Sequence, residues 1–142
     1  MTQRWLIPID ESDVAIKPID WLIANRQLWR EMPTIHLLNV QASLPRDIGR
    51  FINADTIREF HSETGMAELA AACAKLTSVG ITPEVHVMVG DAATTIASFA
   101  DDKHCDQILI GSRGHGSIIG GLLGSVATKL ANLSKIPLLI VR

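Results

Sequence analysis

The sequence predicts an α/β fold in which helices pack on both faces of a parallel β-sheet. Five short runs are rich in Ile, Leu and Val with little polar alternation, which is typical of strands covered on both faces. Segments of helical length separate these runs, so successive strands are joined by right-handed helical crossovers. The predicted strands span residues 4–9, 34–40, 83–89, 106–111 and 136–142. The third run, PEVHVMV, alternates more than the others, which predicts a strand nearer to a sheet edge.

The predicted helices begin and end at residues that favour helix termini. Between residues 54 and 79 apolar side chains mostly keep a spacing of three to four, and Gly80 followed by Pro83 marks the end of the helix. The segment GDAATTIASFADDKH opens with an acid and ends with basic residues, as the helix dipole favours. In the first helical segment Pro18 lies too far after Ser12 for an easy first-turn position. This helix therefore either starts near Pro18 or kinks there.

One connection is longer than the others. The segment QASLPRDIGRFIN, residues 41–53, contains Pro45 and Gly49 and shows no strong apolar period. We expect a mobile surface loop in this segment, and a lid over a binding site is the alternative.

Length and composition point to a single domain over residues 1–142. Apolar residues make up 47% of the chain, which is enough for a conventional core without disulfides or a metal ion. Cys73 and Cys105 lie far apart in apolar settings, which favours buried, reduced thiols over a redox pair.

The charge and hydropathy of the chain restrict its partners. A net charge of −2 without an obviously basic face argues against nucleic acid as the main partner. No apolar run approaches the ~20 residues of a membrane-spanning helix, so no membrane association is expected. The start, MTQRWLIPIDES, has too short an apolar stretch for a signal peptide, and we expect a cytoplasmic protein.

A glycine-rich segment, GSRGHGSIIGGLLGSVATK, spans residues 111–129 and follows the fourth predicted strand. It leads into the last predicted helix, whose N-terminal N–H groups favour an anion. Ligands of open parallel sheets bind beyond the carboxyl ends of the strands, and glycine lets the backbone approach phosphate oxygens without a Cβ in the way. We interpret the segment as a phosphate cradle to which Ser125 adds a hydroxyl. A helix N-cap alone is the alternative role for Ser125.

The two commonest phosphate-binding motifs do not fit this segment. Gly111 and Gly116 have the glycine spacing of a P-loop, but Ser117 stands where lysine is required. Gly114 and Gly116 begin a Rossmann fingerprint, but Ile119 stands at its third position.

The spacing that is present is Gly111-x2-Gly114-x9-Gly124-Ser125. In this feature the chain resembles the universal stress protein family, whose ATP-binding branch has G-x2-G-x9-G-[ST] at this place. Three other segments extend the resemblance along the whole chain, namely LIPIDESD, VGDAATTI and IPLLIVR. The resemblance implies a single-domain, three-layer α/β/α fold of the Rossmann-like, adenine nucleotide α-hydrolase-like kind. Its five-stranded parallel sheet would have the order 3-2-1-4-5.

The resemblance also implies which residues contact ATP. Asp10, which ends the first strand, is expected near the ribose and adenine, and Pro8 and Val40 are expected to line the adenine slot. The residues expected at the sugar and phosphates are Ile110, Gly111, Gly114, Gly124, Ser125 and Val126. Arg113 and His115, inside the glycine-rich segment, are candidate phosphate contacts, with a solvent-facing loop position as the alternative for both.

The turn after the first strand departs from the family pattern. Glu11 replaces a glycine or another small residue of many relatives and adds negative charge beside Asp10 and Asp13. These acids would either repel a polyphosphate or hold the Mg²⁺ or Mn²⁺ ion that accompanies it, and a solvated turn is the interpretation we favour.

No metal site of the protein itself is predicted. No two histidines have ligand spacing with a carboxylate in the sequence, which excludes a structural zinc site. The histidines considered, besides His115, are His36, His61, His86 and His104.

The closing strand, residues 136–142, predicts an oligomer. It forms an apolar sheet edge, and an uncovered edge invites pairing with another strand. A symmetric dimer is the simplest cover, and the resemblance suggests that this strand meets its twin across a two-fold axis. We therefore expect a homodimer.

The expected function is that of an ATP-binding stress-response or regulatory protein that binds nucleotide without turning it over. Efficient phosphoryl transfer needs a base or water-orienting residue, metal ligands and charge clamps. The chain shows neither a P-loop lysine nor a kinase-type base, so no catalytic residue is assigned. The alternatives are slow ATP hydrolysis or autophosphorylation, and a nucleotide-independent protein–protein interaction module.

Overall fold

A computed structural model describes residues 2–112 and 123–142 of the chain. Its centre is a five-stranded parallel sheet with the order β3-β2-β1-β4-β5. The strands are β1 Arg4–Pro8, β2 Thr34–Gln41, β3 Glu84–Val89, β4 Gln107–Gly111 and β5 Leu138–Val141. The predicted fold class and strand order are confirmed, and the alternating run PEVHVMV does supply an edge strand.

Helices cover both faces of the sheet, as three layers require. They are α1 Lys17–Asn25, α2 Arg46–Gly49, α3 Ala54–Ser78, α4 Ala92–Asp102 and α5 Ser125–Leu133. The core between the sheet and α1 and α3 lies on one face, and the core between the sheet and α4 and α5 lies on the other. None of the helices in the described part of the chain is both long and apolar enough to cross a bilayer.

The central strands supply both cores because successive side chains point to opposite faces. On β1, Ile7 packs under α1 and α3, whereas Leu6 packs under α4 and α5. Leu37 and Leu38 divide in the same way on β2, and all four side chains are fully buried. This two-sided burial explains the continuous apolar runs, since each such side chain contributes about 1.5–3 kcal/mol when it leaves water.

The ends of the helices follow from the chemistry of single residues. Pro18 occupies the first turn of α1, after a 3₁₀ turn at Asp13–Ile16, so the alternative in which the helix starts near Pro18 is the correct one. The side chain of Asn53 caps α3 by accepting a hydrogen bond from the Asp55 N–H. Beyond the other end, Gly80 has a φ of +82°, a left-handed conformation that favours glycine.

The connection predicted as a loop over residues 41–53 contains regular structure. Strand β2 continues to Gln41, and α2 forms one helical turn at Arg46–Gly49, directly after Pro45. The prediction of an irregular segment was therefore wrong for these residues. Four residues are too few to show an apolar period, so this turn left no readable pattern.

The two cysteines belong to opposite faces of the sheet. Cys73 is half-buried against the core under α1 and α3, and Cys105 is buried in the core under α4 and α5. Burial raises the pKa of both thiols, which favours the protonated, unreactive form. Their placement agrees with the interpretation as small apolar side chains.

Candidate functional site

The carboxyl ends of β1 and β4 form a cleft. These strands are neighbours in the sheet, with Leu6 paired to Ile108. After β1 the chain turns toward α1 on one face, and the helix after β4, α5, lies on the other face. Adjacent connections that diverge in this way leave a crevice between them, where open α/β sheets bind their ligands.

A pocket of about 610 Å³, its open mouth included, occupies this cleft. Every predicted contact residue within the described ranges lines it, namely Pro8, Asp10, Val40, Ile110, Gly111, Gly124, Ser125 and Val126. The other predicted contacts, Arg113, Gly114 and His115, lie outside the described residues.

Asp10 is held in place at the mouth of the pocket by its own turn. The Ile9 N–H donates to the Leu38 carbonyl at 2.9 Å, which continues the β1–β2 pairing one step beyond β1. Asp10 Oδ1 then accepts hydrogen bonds from the backbone N–H of Ser12, at 2.8 Å, and from its hydroxyl. Such an Asx turn fixes the carboxylate, and both bonds use the same oxygen.

The base of the pocket is apolar. Leu38 and Ile110 are buried beneath it, and Ile96 closes it from α4. Ile96 and Ala92, both on α4, also line the pocket and were not predicted as contact residues. The segment VGDAATTI, which contains both residues, could have indicated these contacts, but it was interpreted only as a helix start.

The opposite wall is the first turn of α5, residues 124–127. Gly124 is the N-cap and its N–H donates to the Ser112 carbonyl at 2.7 Å, which ties the start of α5 to the end of β4. Ser125 is the first helical residue, so its suggested role as N-cap is wrong. The first N–H groups of a helix have no partner within the helix and carry a partial charge of about +0.5, so this wall attracts anions.

An exposed ion pair connects the two helices whose first turns line the pocket. Asp91 caps α4, where it accepts hydrogen bonds from Thr94, and it also accepts one from Lys129 Nζ of α5 at 3.0 Å. The Thr94 hydroxyl, followed by Lys129, lowers the pKa of Asp91 to about 2. Asp91 is therefore ionised at neutral pH and joins α4 to α5.

The acids after β1 do not share one position. Asp10 lines both the pocket and a neighbouring groove that reaches Lys75 of α3, whereas Glu11 and Asp13 are exposed and line the groove but not the pocket. Among the described lining residues of the pocket, Asp10 is the one ionisable side chain. The acidic turn therefore places a single carboxylate at the mouth of the pocket.

A second polar cluster lies on the β2–β3 pair. His36, Glu84 and His86 bring one potential ligand atom each to within 4.8 Å of one another. Burial lowers the pKa of both imidazoles, and Glu84 opposes this effect. The premise that no two histidines lie at ligand spacing with a carboxylate is wrong for this pair. The missed signal was Glu84-x-His86, which strand alternation places on one face.

The described part of the chain is therefore a Rossmann-like α/β protein whose pocket lies at the switch point of its sheet. Residues 1–142 match the model of the Universal stress protein family over their full length. The chain belongs to this family.

A curated relative, the universal stress protein YxiE of Bacillus subtilis, is 28% identical over 148 aligned residues. The alignment covers the full length of both chains. The solved structure of the hypothetical protein MJ0577 has a TM-score of 0.81 at 24% identity, with 99% of this chain and 96% of that chain covered.

Two further solved structures contain nucleotides. A universal stress protein in complex with cAMP has a TM-score of 0.71 at 24% identity, with coverage of 99% of this chain and 97% of that one. The universal stress protein from Archaeoglobus fulgidus in complex with dAMP has a TM-score of 0.68 at 19% identity, covering 100% and 98%. These likenesses concern the fold.

Proposed function

We propose that this chain binds an adenine nucleotide, preferably ATP, in the pocket between the ends of β1 and β4. It would act as a cytoplasmic stress-response or regulatory protein that holds the nucleotide without rapid turnover. The observation that carries the proposal is that the predicted contact residues within the described ranges, from Pro8 to Val126, all line one pocket. The relatives solved with cAMP and dAMP support an adenine nucleotide as the ligand class.

The phosphates would lie against the first turn of α5. The N–H groups of residues 124–127 and the hydroxyl of Ser125 are donors there, and Gly111 brings the end of β4 to the same place. Arg113, Gly114 and His115, outside the described ranges, would complete this end of the site. A Mg²⁺ or Mn²⁺ ion would enter as the companion of ATP.

The nucleoside would occupy the other end of the pocket. Asp10 uses Oδ1 in its own turn, so Oδ2 would accept the hydrogen bond of a ribose hydroxyl. Pro8 and Val40, with Leu38 beneath them, would provide apolar surfaces for the base. An apolar slot with one carboxylate at its rim and backbone donors at its far end matches the chemistry of a nucleotide.

Binding without turnover is the mode that the described lining favours. Asp10 is its one ionisable side chain, and it would lie at the ribose rather than at the γ-phosphate. A base, metal ligands and charge clamps at that phosphate are what hydrolysis needs. We expect purified protein with ATP and Mg²⁺ to release phosphate no faster than a protein-free sample.

A charge at the start of α5 tests the proposal, because it should change stability and binding in opposite directions. Ser125→Asp places a carboxylate at the N-terminus of α5, which should stabilise the fold by about 0.3–1 kcal/mol through the helix dipole. The same carboxylate would repel the phosphates, and we expect ATP to bind at least about tenfold more weakly, a loss of about 1.4 kcal/mol. Calorimetric titration with ATP and urea unfolding measure the two effects.

Thr128→Asp is the matched control, since Thr128 is exposed one turn further along α5 and does not line the pocket. It should leave ATP affinity close to that of the wild type. Equal ATP affinity of wild type and Ser125→Asp would contradict the phosphate placement. An absence of binding of ATP, ADP and AMP to the wild type would favour the nucleotide-independent module.

We also propose that two copies of the chain pair through β5. This strand is the edge of the sheet, and its four residues, Leu138–Val141, are apolar and half-buried. An apolar edge strand presents unpaired backbone groups that a second copy would satisfy across a two-fold axis.

A further inference from the structure

The histidine cluster on β2 and β3 is separate from the nucleotide pocket. His36 and Glu84 are register partners on neighbouring parallel strands, and His86 follows Glu84 on the same face. Val40, which lines the pocket, lies four residues beyond His36 on β2, or about 13 Å along the strand. The cluster therefore needs its own explanation.

The spacing of the three ligand atoms suits a tetrahedral ion. His36 Nδ1 lies 3.1 Å from His86 Nε2 and 3.3 Å from Glu84 Oε2. Ligand atoms around a tetrahedral zinc ion with bonds of about 2.0–2.1 Å lie roughly 3.3–3.4 Å apart. The cluster thus approximates two edges of the coordination tetrahedron before any ion enters.

The two imidazole rings are held in place by their packing. His36 is buried, with 6% of its side chain exposed, and stacks on His86 with ring centroids 5.3 Å apart. Phe99 of α4 contacts both rings. Little side-chain entropy remains to be lost when an ion binds. Glu84, whose side chain is 60% exposed, would have room to close on an ion, and solvent on that side would supply a water as fourth ligand.

We propose that His36, Glu84 and His86 bind one divalent transition-metal ion, preferably Zn²⁺, between β2 and β3. Two imidazoles and one carboxylate are a donor set typical of zinc, whereas Mg²⁺ and Ca²⁺ prefer oxygen ligands alone. The ion would link the edge strand β3 to its inner neighbour β2.

Two nearby cations limit the affinity of this site. Arg4 and Lys103 are close enough to act electrostatically on His36. Because both residues repel a divalent cation, removing one of these positive charges should strengthen metal binding. Lys103→Gln should strengthen zinc binding by about two- to fivefold, and added salt should reduce this gain.

Titration of the metal-free, tag-free full-length chain with ZnCl₂ against a chromophoric chelator tests the proposal. We expect one Zn²⁺ per chain, with affinity reduced at least about tenfold in both Glu84→Gln and His86→Ala. Co²⁺ in place of Zn²⁺ should give the intense visible absorption of a tetrahedral ion in the wild type. Circular dichroism checks that each variant is folded, and Glu84→Gln, at an exposed side chain, tests the site even if His86→Ala does not fold.

His104→Asn is the matched control, because it removes an exposed imidazole outside the cluster. His104 has a φ of 53°, which asparagine tolerates better than most residues. It should bind zinc as the wild type does. The proposal is overturned if the wild type binds no Zn²⁺ at about 100 µM, a concentration at which even a weak site is occupied. It is also overturned if folded Glu84→Gln retains wild-type affinity, because zinc would then bind without the carboxylate that the proposal requires.

Discussion

The backbone of α3 lies so close to the sheet at Gly65 that a methyl group there would overlap β3. A Cβ on Gly65 would lie 2.5 Å and 2.7 Å from the two methyl groups of Val87 and 3.1 Å from Asn39 Oδ1. These neighbours are short, packed side chains that cannot swing away. The glycine thus sets the distance between helix and sheet.

We predict that Gly65→Ala destabilises the protein by about 1–2 kcal/mol. Overpacking costs about 1–3 kcal/mol, and the better helix propensity of alanine returns up to about 1 kcal/mol. The free energy of unfolding in urea measures the difference. A Gly65→Ala variant as stable as the wild type would contradict the packing described here.

Gly49→Ala is the control for the same exchange in another helix. A Cβ there meets no atom within 4 Å, and φ is not positive. The propensity gain should then appear alone, as no change or a stabilisation of up to about 1 kcal/mol.

At the scale of single residues, the candidate site was predictable where its determinants are local in sequence. Asp10 directly follows a buried strand, and the spacing of Gly111, Gly124 and Ser125 is visible in one short segment. The histidine cluster was missed because His36 comes from a neighbouring strand, and only the register joins it to Glu84.

Among the elements, α4 and α5 are joined by a contact with a calculable pH dependence. The Thr94 hydroxyl and Lys129 lower the pKa of Asp91 from 3.8 to about 2. A depressed carboxyl pKa stabilises the fold above the unfolded-state value of 3.8. This contribution is lost as the pH falls through the folded-state value near 2.

We predict that the stability difference between wild type and Asp91→Asn is largest above pH 4 and shrinks as the pH falls to 2. Urea unfolding of both proteins at several pH values measures this difference. A difference that stays constant over this range would show that Asp91 does not titrate as described.

Lys129→Gln serves as the matched control, since it keeps Asp91 and removes only the cation. The Thr94 hydrogen bonds, which are the larger cause of the shift, remain. The pH-dependent contribution of Asp91, measured again in this background, should therefore decrease without disappearing.

Elements were predictable in proportion to their length and burial. Strands β1, β2 and β4 lie inside the sheet and are largely buried, and their predicted bounds came within one residue of the observed ones. Helix α2 is a single turn with no buried residue, so it has no apolar face from which the sequence could have predicted it. The first residue of α1 could not be predicted, because a proline at position 18 is compatible with either the start of a helix or a kink within it.

For the whole molecule, the proposed dimer depends on backbone groups at the open side of β5. The carbonyls of Pro137 and Val141 accept hydrogen bonds from Ile108 and Ser112, at 3.0 and 2.9 Å. Because backbone groups alternate in direction along a strand, those of Leu138 and Ile140 point away from β4. They are the groups that a second copy would pair with.

We predict that Ile140→Pro yields a monomer. Proline removes the outward N–H without removing a bond to β4, so the edge can no longer pair fully. Sedimentation equilibrium gives the mass of the species in solution. A dimeric Ile140→Pro variant would contradict pairing through this strand.

Ile140→Ala is the control, because it loses the same packing against the core under α4 and α5 but keeps the N–H. It should remain dimeric at concentrations where Ile140→Pro is monomeric. Circular dichroism establishes that both variants are folded before their masses are compared.

The pocket takes one wall from the first strand and another from the last helix. A chain emerging from the ribosome has made Pro8 and Asp10 long before Ser125 and Val126 exist. The cavity is therefore completed only after α5 has left the exit tunnel and docked beside β4. A ligand of this cavity would therefore bind only copies in which α5 is present and docked, and copies without it would stay empty.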